Sequence, residues 1–541
     1  MTQIKKYSDL VSVLLVRAKW QSILFILAFM LALIHFGLPL VITYDTGHYH
    51  TYLAILSGNE PLNNWDRVRQ PGYPLFLWII RKFLGGSQQS FLLIHYVFLV
   101  IVFGFILSFV WQRTLRALPR GLCIFLIGFL FIFEPLVIGF FHVLLTECVA
   151  ATIAVVSCFM AVNWVACSQN KHSERKHYLF QFLIWTFLII FSYHLKQSYV
   201  FCALIPFFVA TALSFFGNKG RSLKLFQVTA VFGSLVLLIV SIFAWNNFLP
   251  ENTDTYMKTR EATSIGAKLL VAGLSRAENL GPISNFQKNR GLTDGKPELE
   301  KAINRALGEI AIRPDCTLLY RLGNFPNTKY LILPCKGSAL SSGDAIYFVI
   351  QAFALAPSEA LLGYGEGLLR LVRILPSGVA LGGGKYDIMK ETESIGLMTF
   401  RSSTNIYWMP PNLSKLVEGY RQNDPDSSRG FFGKIPFKFF QGQTLILFTA
   451  VLIMSLLTFP FVFWLLIKSI IQSKRLNSTV VFLAATAATN ASLLGFHIAL
   501  GMVIDRYAFP AYFLGLVALC LCLVTVLDAK LANKNVLIQP D

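Results

Sequence analysis

Ten runs of about twenty apolar residues leave this chain little choice of fold. A run of that length crosses a hydrocarbon core about 30 Å thick as an α-helix, because a helix satisfies its backbone polar groups from within. The runs lie near residues 22–43, 90–111, 121–141, 143–166, 178–195, 198–216, 225–248, 442–468, 479–502 and 505–527. Hydrophobic residues make up 55% of the 541, and charged residues only 14%, so the expected class is an α-helical polytopic membrane protein. Glu134-Pro135 interrupts the third run, and only a short turn around Phe141-His142 separates it from the fourth. Counts of nine or eleven spans fit the same pattern.

The net charge of +19 follows from topology and calls for no nucleic acid. With the N-terminus inside, every inner connection is basic: Lys5, Lys6, Arg17 and Lys19; Arg113, Arg116 and Arg120; Lys171, Arg175 and Lys176; Lys219, Arg221 and Lys224; Lys468, Lys474 and Arg475. Lys530 and Lys534 at the C-terminal end bring these to 18 of the 47 basic residues, placed where they meet anionic lipid. The expectation is a multi-pass protein of the cell's inner (plasma) membrane with both termini cytoplasmic. The first run exceeds a signal-peptide core and has no clear small-residue cleavage site after it, so it is expected to be retained.

Three parts follow from this map. A membrane bundle over 1–248 contains a first outer loop at 44–89; a polar region over 249–441 is long enough for its own core; a three-span bundle occupies 442–541. The middle region reads as a mixed, mainly helical outer domain, with an amphipathic helix over 296–312 and helix interrupted at Pro357 over 345–374. Its two cysteines, Cys316 and Cys335, are candidates for a disulfide in an oxidising compartment, which would close a loop of about 20 residues and stabilise the domain by about 3 kcal/mol. Two buried free thiols are the alternative.

Charged residues with chemical potential gather at span ends. Past the first run comes Tyr44-Asp45-Thr46-Gly47-His48-Tyr49, followed by Arg69-Gln70-Pro71-Gly72-Tyr73-Pro74. Thr146-Glu147 stands near the start of the fourth span, Lys196-Gln197-Ser198 at the start of the sixth, and Asp505-Arg506-Tyr507 opens the tenth. In order and position these resemble the GT-C membrane glycosyltransferases, in particular bacterial relatives of protein mannosyltransferases and aminoarabinose transferases. Asp45 to Tyr49 is similar to that family's Asp-x-x-x-Tyr, and Arg69 to Pro74 resembles its Arg-x-Pro-x-Tyr-Pro. Where the family often has arginine followed by proline, this chain has Lys196-Gln197. The resemblance implies a GT-C-like fold, a polyprenyl-phosphate sugar as donor, and transfer with inversion to an acceptor glycan, lipid or protein.

The residue chemistry suits that reaction, which needs a base and an anion clamp. Asp45 is the candidate general base for the acceptor's proton, with a helix N-cap as its ordinary role. Arg69 is the candidate for the donor phosphate, since a guanidinium holds two phosphate oxygens; an interfacial arginine reaching lipid headgroups is the alternative. Lys196 and Arg506 complete the clamp or serve as ordinary interfacial charges. Glu147, costly if unpaired within a span, faces a polar cavity or a cation, and Glu134 falls under the same argument. His48, Tyr49, Tyr73 and Tyr507 support the site. The reaction requires no cofactor; Asp45, His48 and Glu147 are suitable ligand types for a divalent metal, but no spacing demands one. Residues 73–83 should form a helix lying in the membrane interface. Two other functions fit the class: an oligosaccharide ligase or polymerase using a diphosphate carrier, and a lipid or solute transporter. A transporter predicts charges deep in several spans and matching halves, whereas here most charges gather at span ends and the halves do not match.

Overall fold

The computed structural model describes Tyr49 and residues 52–65, 70–85, 87–111, 134–141, 144–169, 175–215, 221–249, 368–369, 437–471, 476–499 and 505–536, with scattered positions between 124 and 131. Among these residues all regular structure is helical. We number the helices α1 (Gly72–Leu84), α2 (Gln88–Trp111), α3 (Pro135–Phe141), α4 (Thr146–Gln169), α5 (Arg175–Leu195), α6 (Phe201–Ser214), α7 (Arg221–Phe248), α8 (Phe437–Ile471), α9 (Ser478–Ala499) and α10 (Phe509–Val536). Eight segments are long and apolar enough to cross a membrane: Gln89–Trp111, Thr146–Ser168, Tyr178–Leu195, Gln197–Ser214, Leu225–Phe248, Ile446–Trp464, Ser478–His497 and Phe509–Val526. The chain is therefore a helical, multi-pass membrane protein. These eight coincide with eight of the ten apolar runs. The run at 22–43 lies outside the described residues, as do nearly all of the middle region, with Cys316 and Cys335, and nine positions of the run at 121–141.

Where helices begin differs slightly from the apolar pattern, for local reasons. The last span starts at Phe509 rather than 505, since Asp505–Ala508 forms a single 3-10 turn before it. In the third run, Glu134 takes up a capping position: its Oε2 accepts the Val137 N–H at 2.6 Å, and Pro135 follows where a helix tolerates a missing donor. That gives this buried carboxylate a structural task.

The centre of the bundle is α4. It packs against α2, α5, α6, α9 and α10, so helices from both ends of the chain share one apolar core. Close approach is possible because α4 presents small side chains, with Ala150, Ala151, Ala154, Cys158 and Ala161 all fully buried. α1 is a different kind of element. Tyr73, Leu77 and Ile80 form a buried stripe against α2 and α5, while Leu75, Ile79 and Phe83 on the other side are exposed. Arg81 and Lys82 occupy its last turn, and Gly85 ends it in the left-handed conformation at φ 82°. This helix is apolar on both sides, as a helix between the bundle and lipid must be.

Candidate functional site

The start of α1 is fastened to the end of α5. Gly72 comes so close to that helix that a Cβ there would lie 2.6 Å from the His194 carbonyl carbon and oxygen and 2.9 Å from the Leu195 nitrogen. Only glycine fits against backbone at that range. Beside it, His194 Nδ1 meets Gln70 Oε1 at 3.2 Å, and His194 Nε2 meets Ser241 Oγ of α7, also at 3.2 Å. Ser241 donates its own hydroxyl to the Leu238 carbonyl at 2.7 Å, so the imidazole is the donor in the Ser241 contact. A neutral His194 then accepts from Gln70 when the amide presents its NH2 group. Further along the loop, the buried Trp65 stacks on Tyr52 at 4.4 Å and meets Trp245 of α7 edge to face at 5.1 Å. The first loop is thus tied to α5 and α7 at three points.

This fastening brings the two tyrosines of the sequence motifs together. Tyr49 and Tyr73 meet edge to face, with ring centroids 4.8 Å apart and both rings buried. Burial pushes the Tyr73 hydroxyl well above the usual tyrosine range, and the negative charges that Cys148, Tyr49 and Glu147 can carry add to the push. Among the described residues its hydroxyl has no hydrogen-bond partner. Tyr73 thus lies within electrostatic reach of the first turn of α4. Glu147 is buried in that turn, where the helix dipole favours a negative charge, and accepts the Thr146 hydroxyl at 3.2 Å.

On the other side of the α5 terminus stands Lys196, extended in backbone and opening the 3-10 turn Gln197–Val200. Its ammonium lies 2.9 Å from the centroid of Tyr507 and 5.2 Å from that of Tyr199. A cation held on an aromatic face and shielded from water is stabilised by up to about 2 kcal/mol. The Tyr507 ring also stacks on the buried His497 at 5.0 Å, with an angle of 22° between rings. Phe201 of α6 and Phe496 of α9 meet beside this layer at 5.1 Å. Three connections therefore converge here: the α5–α6 junction, the end of α9 and the entry to α10.

Of the residues singled out from sequence, Tyr49, Tyr73, Glu147, Lys196 and Tyr507 are gathered at one end of the bundle. Asp45, His48 and Arg69 lie outside the described residues, and Arg506 is described by its backbone alone. Their roles as base and phosphate ligands are carried by the sequence reading. Sequence reasoning missed the Gln70–His194–Ser241 link, the Trp65–Trp245 contact and the His497 stack. A histidine two residues before Lys196 was the available signal for the first; the other two pair residues roughly 180 and 10 positions apart with no shared motif. Among the described residues, no group of three or more His, Cys, Asp or Glu side chains is arranged to hold a metal ion. Comparison of the chain with models of protein families, with curated proteins and with solved structures finds no match in any of the three.

Proposed function

We propose that the chain is a glycosyltransferase of GT-C type, which moves a sugar from a polyprenyl-phosphate carrier to an acceptor on the outer side of the membrane. An acceptor hydroxyl or amine attacks the anomeric carbon. The bond from that carbon to the phosphate oxygen breaks, its electron pair leaves with the phosphate, and the sugar's configuration inverts. Asp45 takes the acceptor's proton, and Arg69, Lys196 and Arg506 neutralise the phosphate as its charge grows.

The observation that carries this reading is the meeting at one end of the bundle of side chains chosen from five separate segments: Tyr49 with Tyr73, Lys196 on Tyr507, and Glu147 in the first turn of α4. A membrane surface is where a lipid-linked donor presents its phosphate. The tight approach of Gly72 to His194 and Leu195, next to Lys196 in sequence, supports the reading.

Turnover of a panel of polyprenyl-phosphate sugars by the purified protein, followed as release of polyprenyl phosphate, tests the proposal. Asp45→Asn should lower release by about 10²- to 10⁴-fold while donor binding persists. A parent protein that binds and consumes no donor, and that Asp45→Asn leaves unchanged, would remove the reading and make transport the next function to assay.

A further inference from the structure

Below the site, a fully buried histidine joins three helices. His95 of α2 faces the backbone carbonyl of Phe141, the last residue of α3, through Nδ1 at 2.7 Å. A carbonyl oxygen has only lone pairs to offer, so Nδ1 carries the proton. In the neutral ring Nε2 is then an acceptor, and it lies 3.5 Å from the thiol of Cys148 in the first turn of α4. That thiol is also 3.5 Å from the Leu145 carbonyl, and the Cys148 carbonyl accepts the Thr152 hydroxyl at 3.0 Å. His95 therefore holds one helix C-terminus and one helix N-terminus together. Both are places where backbone groups lack helical partners.

Glu147 is the residue next to Cys148, so whatever fixes the Cys148 turn fixes the origin of the Glu147 side chain. We infer that His95 is a positioning residue for Glu147, acting through Cys148; this rests on the reading of Glu147 as part of the transfer site. A buried cysteine by itself is commonly a small apolar filler. Here a histidine of fixed tautomer faces it, held on its other side by the Phe141 carbonyl.

The two contacts of His95 can be separated by isosteric replacement. His95→Gln places an amide near the Nε2 position, where its oxygen accepts the thiol proton; His95→Asn reaches only the Phe141 carbonyl. Infrared difference spectra of the full-length protein in detergent isolate the Cys148 S–H band by subtracting Cys148→Ala, and the Glu147 carboxyl bands by subtracting Glu147→Gln. His95→Leu and His95→Asn should shift both sets of bands, and His95→Gln should restore them. In the transfer assay kcat should fall about tenfold in the Leu and Asn variants with KM for the donor within about twofold, and recover in the Gln variant. Unshifted Glu147 bands in His95→Leu, or equal behaviour of the Asn and Gln variants, would overturn the inference. Should His95→Leu not fold, the Asn and Gln pair decides alone. A parent that turns over no donor would sink the transferase reading, while the infrared bands would still decide whether His95 positions Glu147.

Discussion

Helices α4 and α7 are both long, apolar and uninterrupted, yet 83% of the span Thr146–Ser168 is buried inside the bundle and only 22% of Leu225–Phe248 is. Neighbours make the difference. α4 is covered by α2, α5, α6, α9 and α10, whereas α7 packs on α5 and α6 and turns Phe232, Ile239, Val240 and Phe243 outward. Between helices in a membrane the alternative to protein is lipid, which is equally apolar, so hydrophobicity does not choose the inner helix. Small side chains do, because they let backbones approach. The same contrast separates their ends: the first turn of α4 carries Glu147 within electrostatic reach of Tyr73, and the last turns of α7 carry Ser241 and Trp245, which hold the first loop in place.

The largest expected effect lies where the loop meets α7. Trp65→Ala removes a fully buried indole from between Tyr52 and Trp245 and should cost about 3–5 kcal/mol of stability, read as loss of thermal resistance in detergent. A loss below about 1 kcal/mol would mean that the loop does not depend on α7. Overpacking α4 comes next. Ala154→Leu, at a wholly buried position, is expected to cost about 1–3 kcal/mol, while Val240→Ala on the outward side of α7 stays within about 0.5 kcal/mol. Equal effects in the two helices would erase the contrast drawn from burial.

Gly72→Ala forces its methyl against the His194 backbone, so α1 or α5 must shift; about 1–3 kcal/mol is expected. Limited proteolysis of the first loop should accelerate in that variant and not in Gly104→Ala of α2, where an added methyl meets open space. The smallest effect concerns alkaline pH. The folded protein keeps the Tyr73 phenol protonated where the unfolded chain releases its proton, so the folded state binds more protons there. Stability should therefore be unaffected below about pH 10, the unfolded value, and fall as pH rises above it. Tyr73→Phe should flatten that part of the slope and leave stability at neutral pH unchanged or slightly higher, since it removes a buried hydroxyl with no partner among the described residues. Parallel pH curves for the two proteins would contradict the burial of this group.

Much of the candidate site was legible because its residues sit in short runs next to apolar segments. Tyr49 and Tyr73 were chosen from two motifs in one loop, and Lys196 and Tyr507 from span ends far apart in sequence; the folded chain brings each pair into contact. What the residues do with their neighbours was not legible. Lys196 reads as a free interfacial charge, whereas its ammonium rests on an aromatic ring that is itself backed by His497. Glu134 and Glu147 read alike as intramembrane carboxylates, yet the first caps a short helix and the second sits in the first turn of the central one. Periodicity shows which side of a helix is apolar, and it carries no record of which partner meets that side.

The sequence by itself determined that the chain crosses a membrane many times and where eight of those crossings lie, since the length of an apolar run against the thickness of a bilayer is a one-dimensional question. It also set the expectation that the polar chemistry gathers at span ends. Only the tertiary structure decided which helix is central, that Gly72 must be glycine, and that His95 of α2 joins the end of α3 at Phe141 to the first turn of α4 at Cys148. Those outcomes depend on distances between residues 46 to 124 positions apart, and such distances are set when side chains of particular sizes and hydrogen-bonding groups of particular directions pack against each other.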